Sequence, residues 1–173
     1  MNERQRRIAY LVRVNRGKND APVFLREISQ ALGESVGASA LVSLHETDDL
    51  IATFYKACQA ASVAGAVSFQ RYYSSSEDKM VFGLADCLSE RMWGEACFAF
   101  TKESEYCGTV ATSLGVLLSH SASMIRLDGD SLCAISLDRS QGILIDGNPG
   151  DREQRYEVMV WGDRWSLIAL ACA

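Results

Sequence analysis

The last third of the chain, residues 128–169, constrains the fold most, because short apolar runs alternate there with turns. Residues 132–137 and 143–145 are apolar runs separated by a polar turn. Residues 146–151 form a second turn of Asp, Gly, Asn and Pro, which tolerate or preset turn dihedrals. This pattern predicts consecutive antiparallel strands.

The same pattern continues towards the C-terminus. In residues 156–161, Tyr156, Val158 and Val160 alternate with Glu157, Met159 and Trp161, and we interpret this period-two pattern as a half-buried strand. Gly162 and Asp163 predict a hairpin turn, and residues 165–169 are predicted to return as a strand. We therefore expect a C-terminal four-strand meander.

Length and composition favour one domain spanning residues 1–173. The chain has 48% apolar and 23% charged residues, and only two prolines, with no Pro/Gly/Ser-rich linker. We expect an α+β fold in which an antiparallel sheet carries helices on one face. Residues 1–18 form a basic N-terminal segment.

Helical spacing predicts several helices before the meander. A basic helix is expected over residues 3–14, a polar break over 17–20, and a helix from Pro22 to Gly33. This start resembles the helix-turn-helix of bacterial repressors. The segment that would be the recognition helix, residues 36–46, has no Lys or Arg, so nucleic-acid binding is not expected.

The middle of the chain mixes strand and helix signals. Strands are predicted over 40–45, 66–73 and 97–100, and a short strand follows Met80. Helices are predicted from Thr47, around residues 86–92, and over 108–121. Residues 74–78 are expected to be a loop.

Cysteine and histidine content argues against a metal site. The six cysteines form no Cys-x-x-Cys pair and only two histidines are present. We expect buried, reduced thiols, although the even number leaves disulfides open. The run from Asp146 to Glu157 partly matches a calcium loop but has Gly150 and Asp151 at the fifth and sixth positions, where the pattern needs a ligand and a glycine.

Other signals concern compartment and cofactors. The apolar run of residues 8–12 is too short for a signal peptide, and no run approaches the length of a membrane span. We therefore expect a cytoplasmic protein without a membrane segment. No glycine-rich phosphate loop occurs, so no nucleotide cofactor is expected.

Four residues, Gly129-Asp130-Ser131-Leu132, resemble the signature of the GDSL hydrolases. That resemblance implies a serine nucleophile activated by a histidine near the C-terminus, because a hydroxyl needs a positioned base. No histidine follows His120. The interpretation we favour is a turn that enters a strand.

A cysteine hydrolase is the alternative function. Residues 93–100, around Cys97, resemble the nucleophile segment of papain-like enzymes, and Cys107 would be activated if it opened a helix. His120 and Asp146 would complete the catalytic set. Against this, His120 would lie at the far end of the helix that Cys107 opens.

Charge is distributed unevenly. Residues 1–18 contain six Lys or Arg and one Glu, so the remainder carries −10 in a chain whose total is −5. The C-terminal segment combines acids with aromatic residues, as protein interfaces do. The residues that we expect to bind a partner are Asp128, Asp130, Asp146, Asp151, Glu157, Trp161 and Asp163.

This acidic surface resembles that of small bacterial immunity proteins, and so does the strand–turn–strand run from residue 143 to residue 162. The resemblance implies a basic toxin domain as partner, with its active site occluded by the bound chain. It implies no cofactor and no chemistry by this chain. The sequence leaves the oligomeric state open.

Overall fold

The computed structural model describes residues 2–62, 68–147 and 155–173. Within these ranges the helices are α1 (Glu3–Leu32), α2 (Leu44–Ala61), α3 (Asp78–Arg91), α4 (Ser104–Cys107), α5 (Leu114–Ser119), α6 (Ser121–Asp128) and α7 (Asp163–Cys172). The strands are β1 (Ser68–Tyr73), β2 (Ala96–Phe100), β3 (Val110–Ser113), β4 (Ser131–Ser136), β5 (Gly142–Asp146) and β6 (Tyr156–Trp161). The predicted α+β class with an antiparallel sheet is confirmed.

The six strands form one antiparallel sheet in the order β1-β6-β5-β4-β2-β3. Strands β4, β5 and β6 are consecutive neighbours, so three strands of the predicted meander are confirmed. The neighbour of β6 on its other side is β1, from the middle of the chain. The predicted strand over 66–73 is confirmed from Ser68 onward, whereas residues 66 and 67 lie outside the described ranges.

The fourth predicted strand, residues 165–169, is wrong, because this segment belongs to α7. Trp165 and Ala169 are fully buried and lie four residues apart, while Leu167 and Leu170 are exposed. This spacing buries one side of a helix. A run as short as residues 165–169 is compatible with both the helical and the strand periodicity. The burial of Trp165 and Ala169 together favours the helix.

Helices cover both faces of the sheet, so the prediction that they pack on one face is wrong. Helices α1, α3, α5, α6 and α7 contribute to the large core on one face. Helix α2 packs alone on the opposite face, where Leu50 and Phe54 contact a smaller cluster that includes Ile135, Met159 and Trp161. The strands are apolar on both sides because both sides are covered.

Helix α1 is continuous, so the predicted break at residues 17–20 and the two-helix start are wrong. Gly17 is buried, and a Cβ atom on it would lie 1.9 Å from the carbonyl oxygen of Tyr106. The glycine therefore permits α4 to approach α1 closely. The helix ends at Gly33, which has φ of 67° and serves as a left-handed C-cap.

Helix α2 begins earlier than predicted. Ser43 is the N-cap, and its hydroxyl accepts a hydrogen bond from the Glu46 N–H at 3.3 Å. Thr47 is instead fully buried, and its hydroxyl accepts the Thr109 N–H at 2.9 Å. The predicted strand over 40–45 is wrong, since Leu41 makes only an isolated bridge and the helix starts at Leu44.

Over residues 80–100, where strand and helix signals are mixed, the longest element is a helix, α3. Helix α3 occupies the positions where a short strand and a short helix were predicted, and a 3-10 turn precedes it in the predicted loop. The strand over 97–100 is confirmed as part of β2. Residues 108–121 are helical only from Leu114, because residues 110–113 pair with β2 as the edge strand β3.

One disulfide bond joins the C-terminal helix to α3. Cys87 and Cys172 are bonded, with their Cα atoms 5.9 Å apart. The expectation of reduced thiols is wrong for this pair, whereas the other cysteines, Cys58, Cys97, Cys107 and Cys133, are free.

None of the helices in the described parts of the chain has the length and hydropathy that a membrane crossing requires.

Candidate functional site

Three of the predicted acidic residues meet at one end of the sheet, on the face covered by α2. Strand register places Asp146 opposite both Ser131 of β4 and Glu157 of β6. Asp128, at the end of α6, accepts the Ser131 hydroxyl at 2.8 Å. We call Asp128, Asp146 and Glu157 the acidic row. Its backbone positions are fixed by three neighbouring strands and one helix end.

Short hydrogen bonds hold the two ends of the row. Asp128 also accepts the backbone N–H of Lys102 at 2.5 Å, which ties α6 to the segment after β2. At the other end, the Gln70 side-chain amide donates to Glu157 at 2.6 Å and to the Tyr72 hydroxyl at 3.0 Å. These carboxylates are therefore preorganised, which lowers the entropy lost when a partner binds them.

The negative charge of the row changes the acidity of its neighbours. The pKa of Cys58 is raised to about 11, first by burial and then by the charge of Glu157. Burial raises the pKa of Cys133 to about 12, and the charges of Asp128 and Asp146 add to that effect. The pKa of Tyr72 is also raised, first by burial and then by its interaction with Glu157.

A cleft of about 170 Å³ lies beside the row, between α2 and the ends of β2 and β4. Its lining residues are Ile51, Phe54, Tyr55, Phe100, Thr101, Lys102, Asp128, Ser131 and Cys133. The lining is largely apolar with a carboxylate at the rim. Tyr55 is 63% exposed beside it and Tyr72 is 46% exposed at the other end of the row.

The remaining residues predicted to bind a partner do not join the row. Asp130 is exposed in the turn before β4, at the same end of the sheet, where its carbonyl accepts the Gly147 N–H. Asp163 is exposed at the start of α7, beside the turn between β4 and β5 at the opposite end. Asp151 lies outside the described residues.

Trp161 is the predicted contact residue that the fold buries. Its side chain is 5% exposed and packs edge-on against Phe54 with ring centroids 5.1 Å apart, so it belongs to the core under α2. The exposed aromatic residues beside the row are Tyr55 and Tyr72 instead. Tyr55 follows the buried Phe54 in α2 but lies on the exposed side of that helix. Gln70, which lies two residues before Tyr72 and therefore on the same side of the strand, was the available signal for Tyr72.

The structure does not assemble the catalytic set of the cysteine hydrolase. Cys97 is fully buried on the large-core side of β2, whereas Asp146 lies on the α2 side of the sheet. The ring Nδ1 of His120 lies 3.0 Å from the carbonyl oxygen of Val116 and from the Ser119 hydroxyl, so no thiol occupies that position.

Cys107 ends α4 instead of opening a helix, so no helix N-terminus acts on its thiol. Burial is the main cause that raises the pKa of Cys107 to about 11, and burial also raises the pKa of Cys97. Both thiols are therefore protonated at neutral pH, which is the unreactive form.

The four residues that resemble the GDSL signature form a turn, as the favoured interpretation expected. Gly129 has φ of 107°, and β4 begins at Ser131. The Ser131 hydroxyl is bonded to Asp128 and receives a weak bond from the Cys133 thiol at 3.7 Å. A carboxylate in this position orients the hydroxyl in the wall of the cleft.

Searches against protein-family models, curated proteins and solved structures gave no significant match. The geometry of the acidic row and its cleft is therefore the basis for a functional proposal. Among the described residues no group of His, Cys, Asp and Glu has the arrangement of a metal site.

Proposed function

We propose that this chain is a protein-binding module that recognises a basic protein. In its most concrete form it is a cytoplasmic bacterial immunity protein that occludes the active site of a cognate toxin. The single observation that carries the proposal is the acidic row, in which Asp128, Asp146 and Glu157 are held side by side on adjoining elements.

Electrostatic complementarity supports a basic partner. Beyond the first 18 residues the chain carries a net charge of −10. A fixed row of carboxylates within this negative field attracts and orients Lys and Arg side chains, and the field accelerates encounter.

The surroundings of the row supply contacts of a different kind. Tyr55 and Tyr72 present exposed rings at its two ends. Tyrosine at the edge of a charged patch offers apolar area together with a hydroxyl, the combination that dominates many protein interfaces. The row and the two rings therefore form one candidate contact surface.

The test combines protection from a toxin with binding. The genes beside that for this chain are searched for a toxin domain, and such a domain is expressed together with the native chain, the D146K/E157K variant or the D86K/E90K variant. Asp86 and Glu90 are exposed on α3, on the opposite side of the sheet, so the control changes the net charge equally.

We expect the native chain and the control to restore growth and to bind the purified toxin domain alike. The row variant should bind at least about tenfold more weakly, because lysines replace carboxylates opposite basic groups. The native association rate should fall as salt is added. Equal protection by both variants, or no protection by the native chain, would refute the proposal.

A further inference from the structure

The first turns of α1 are exposed to solvent. Every residue from 3 to 12 is exposed, and the first buried residue of the helix is Gly17. We call residues 3–12 the N-terminal arm. Its apolar side chains are unusually accessible, since Ile8, Leu11 and Val12 are 52%, 50% and 63% exposed.

Local sequence favours a helical arm. Asn2 and Gln5 form a capping box, in which each side chain accepts the backbone N–H of the other residue at 2.9 Å. The arm borders α4 on one side, where Arg6, Ala9, Tyr10 and Val12 line a hollow together with Glu105 and Tyr106. An isolated helix of ten residues is marginally stable in water. An arm that is capped and has exposed apolar side chains on one side is suited to gain contacts from another molecule.

The arm combines aliphatic and basic side chains on one side. Ile8 precedes Leu11 and Val12 by three and four residues, so these three lie together. Arg4 and Arg7 precede Ile8 and Leu11 by four residues and therefore extend the same side by one turn. A binding surface for this side needs an apolar recess with carboxylates next to it.

The cleft beside the acidic row has these two properties. Phe54, Phe100 and Ile51 supply apolar walls, and the polar part of the lining includes the carboxylate of Asp128 and the side chain of Lys102. Strand register continues the negative charge from Ser131 to Asp146 and Glu157. An aliphatic side chain in the cleft would thus place a neighbouring guanidinium against the row.

We propose that the N-terminal arm of one copy of this chain docks into the cleft of a second copy, with Ile8 or Leu11 in the recess and Arg4 and Arg7 against the acidic row. This inference goes beyond the proposed function. The same row would serve both contacts, so self-association and the binding of a basic protein exclude each other.

Charge selects a second copy over an anionic membrane as the occupant of the arm. The chain beyond residue 18 carries a net charge of −10. An anionic bilayer repels this charge, whereas the basic arm of another copy is attracted to it. Arm-to-arm pairing would place arginines together and is disfavoured. A contact made by ten residues is small, so we expect weak, reversible association.

The test is sedimentation velocity over a concentration series at low salt. The average mass of the native chain in solution should increase above the 19.0 kDa of one copy as the concentration is raised. Added salt should weaken this association. R4E/R7E, which has an acidic arm, and D146K/E157K, which has a basic row, should each stay at one copy. K18E/R26E, which changes exposed residues of α1 outside the arm, should associate like the native chain.

An equimolar mixture of R4E/R7E and D146K/E157K gives the decisive result. The basic arm of the second variant meets the acidic row of the first, so the mixture should associate although neither variant does alone. Recovery in the mixture also shows that both variants are folded. The measurement needs no toxin, so its outcome is independent of the test of the proposed function.

Three results would overturn the proposal. They are a native chain that stays at one copy at every concentration, a mixture that stays at one copy, and a single-copy chain that binds vesicles of equal phosphatidylserine and phosphatidylcholine through the arm. The last result would assign the arm to a lipid surface.

Discussion

Two glycines in helices of this chain have opposite roles. Gly17 is buried where α1 meets the backbone of α4, and any side chain there would meet the Tyr106 carbonyl. Gly83 is exposed on α3, and a Cβ atom on it would meet nothing within 4 Å. Only the first of these positions requires glycine.

Alanine at the two positions should therefore change stability with opposite sign. We expect G17A to lower the free energy of unfolding by about 1–3 kcal/mol, because overpacking outweighs the better helix propensity of alanine. G83A should raise it by about 0.5–1 kcal/mol, because only the propensity changes. Urea denaturation of both variants measures this, and a stabilised G17A would show that α4 does not pack closely on α1.

Single residues explain part of what sequence reasoning could not foresee. Gly17 was interpreted as a break because the sequence does not distinguish a glycine required for close packing from a glycine required for a turn. Thr47 was predicted to begin α2, whereas it lies within that helix and its hydroxyl accepts a hydrogen bond from Thr109, 62 residues away. In both cases the deciding partner is distant in the sequence.

Helix α7 shows how much an element depends on its partners. It buries Trp165 and Ala169 against the sheet, and Cys172 in its last turn is bonded to Cys87 of α3. The bond closes a loop with a sequence separation of 85 residues. Loops of this length lose considerable entropy in the unfolded chain when they are closed.

Loss of this disulfide should destabilise the protein. We expect C87S/C172S to lose about 2–5 kcal/mol of unfolding free energy relative to the oxidised chain. A reductant should lower the melting temperature of the native chain and leave that of the variant unchanged, whereas C58S should respond to reductant as the native chain does. Titration of a non-reduced preparation unfolded in urea should find the four free thiols; six would contradict the bond.

At the scale of elements, patterns repeated over several residues predicted well and single short runs did not. Strands β4, β5 and β6 were predicted because turn residues separate them. The acidic row follows from that register, so Asp146 and Glu157 could be predicted as neighbours. The cleft could not be predicted, because it needs α2 on the second face. Met159 and Trp161 lie on one side of β6 and Val158 and Val160 on the other. Because both pairs are apolar, they were the sequence signal that both faces of the sheet are covered.

For the whole molecule, buried free thiols should make stability depend on pH. A thiol in the unfolded chain has a pKa of about 8.5, whereas that of Cys58 is raised to about 11 and that of Cys133 to about 12 in the fold. The unfolded state therefore loses its protons first as pH rises. Stability from these groups is fully present below about pH 8.5 and is lost progressively towards the folded pKa values.

We accordingly expect the free energy of unfolding in urea to fall between about pH 8.5 and about pH 11. The C58A/C133A variant should show a shallower fall, because two of the groups responsible are removed.

Iodoacetamide should label the folded chain slowly at neutral pH, and H120A should label at the same slow rate. Rapid labelling that H120A abolishes would restore the hydrolase alternative.

The pairing of β1 with β6 has a consequence for synthesis. Ser68 lies opposite Trp161, so the edge strand emerges from the ribosome long before the strand that it joins. Elongation proceeds at about 5–20 residues per second, so β1 spends roughly several seconds as an unpaired strand. A nascent chain in this state is open to capture by chaperones or by another unpaired strand. Slower translation of the region between β1 and β6 should therefore lower the yield of folded protein.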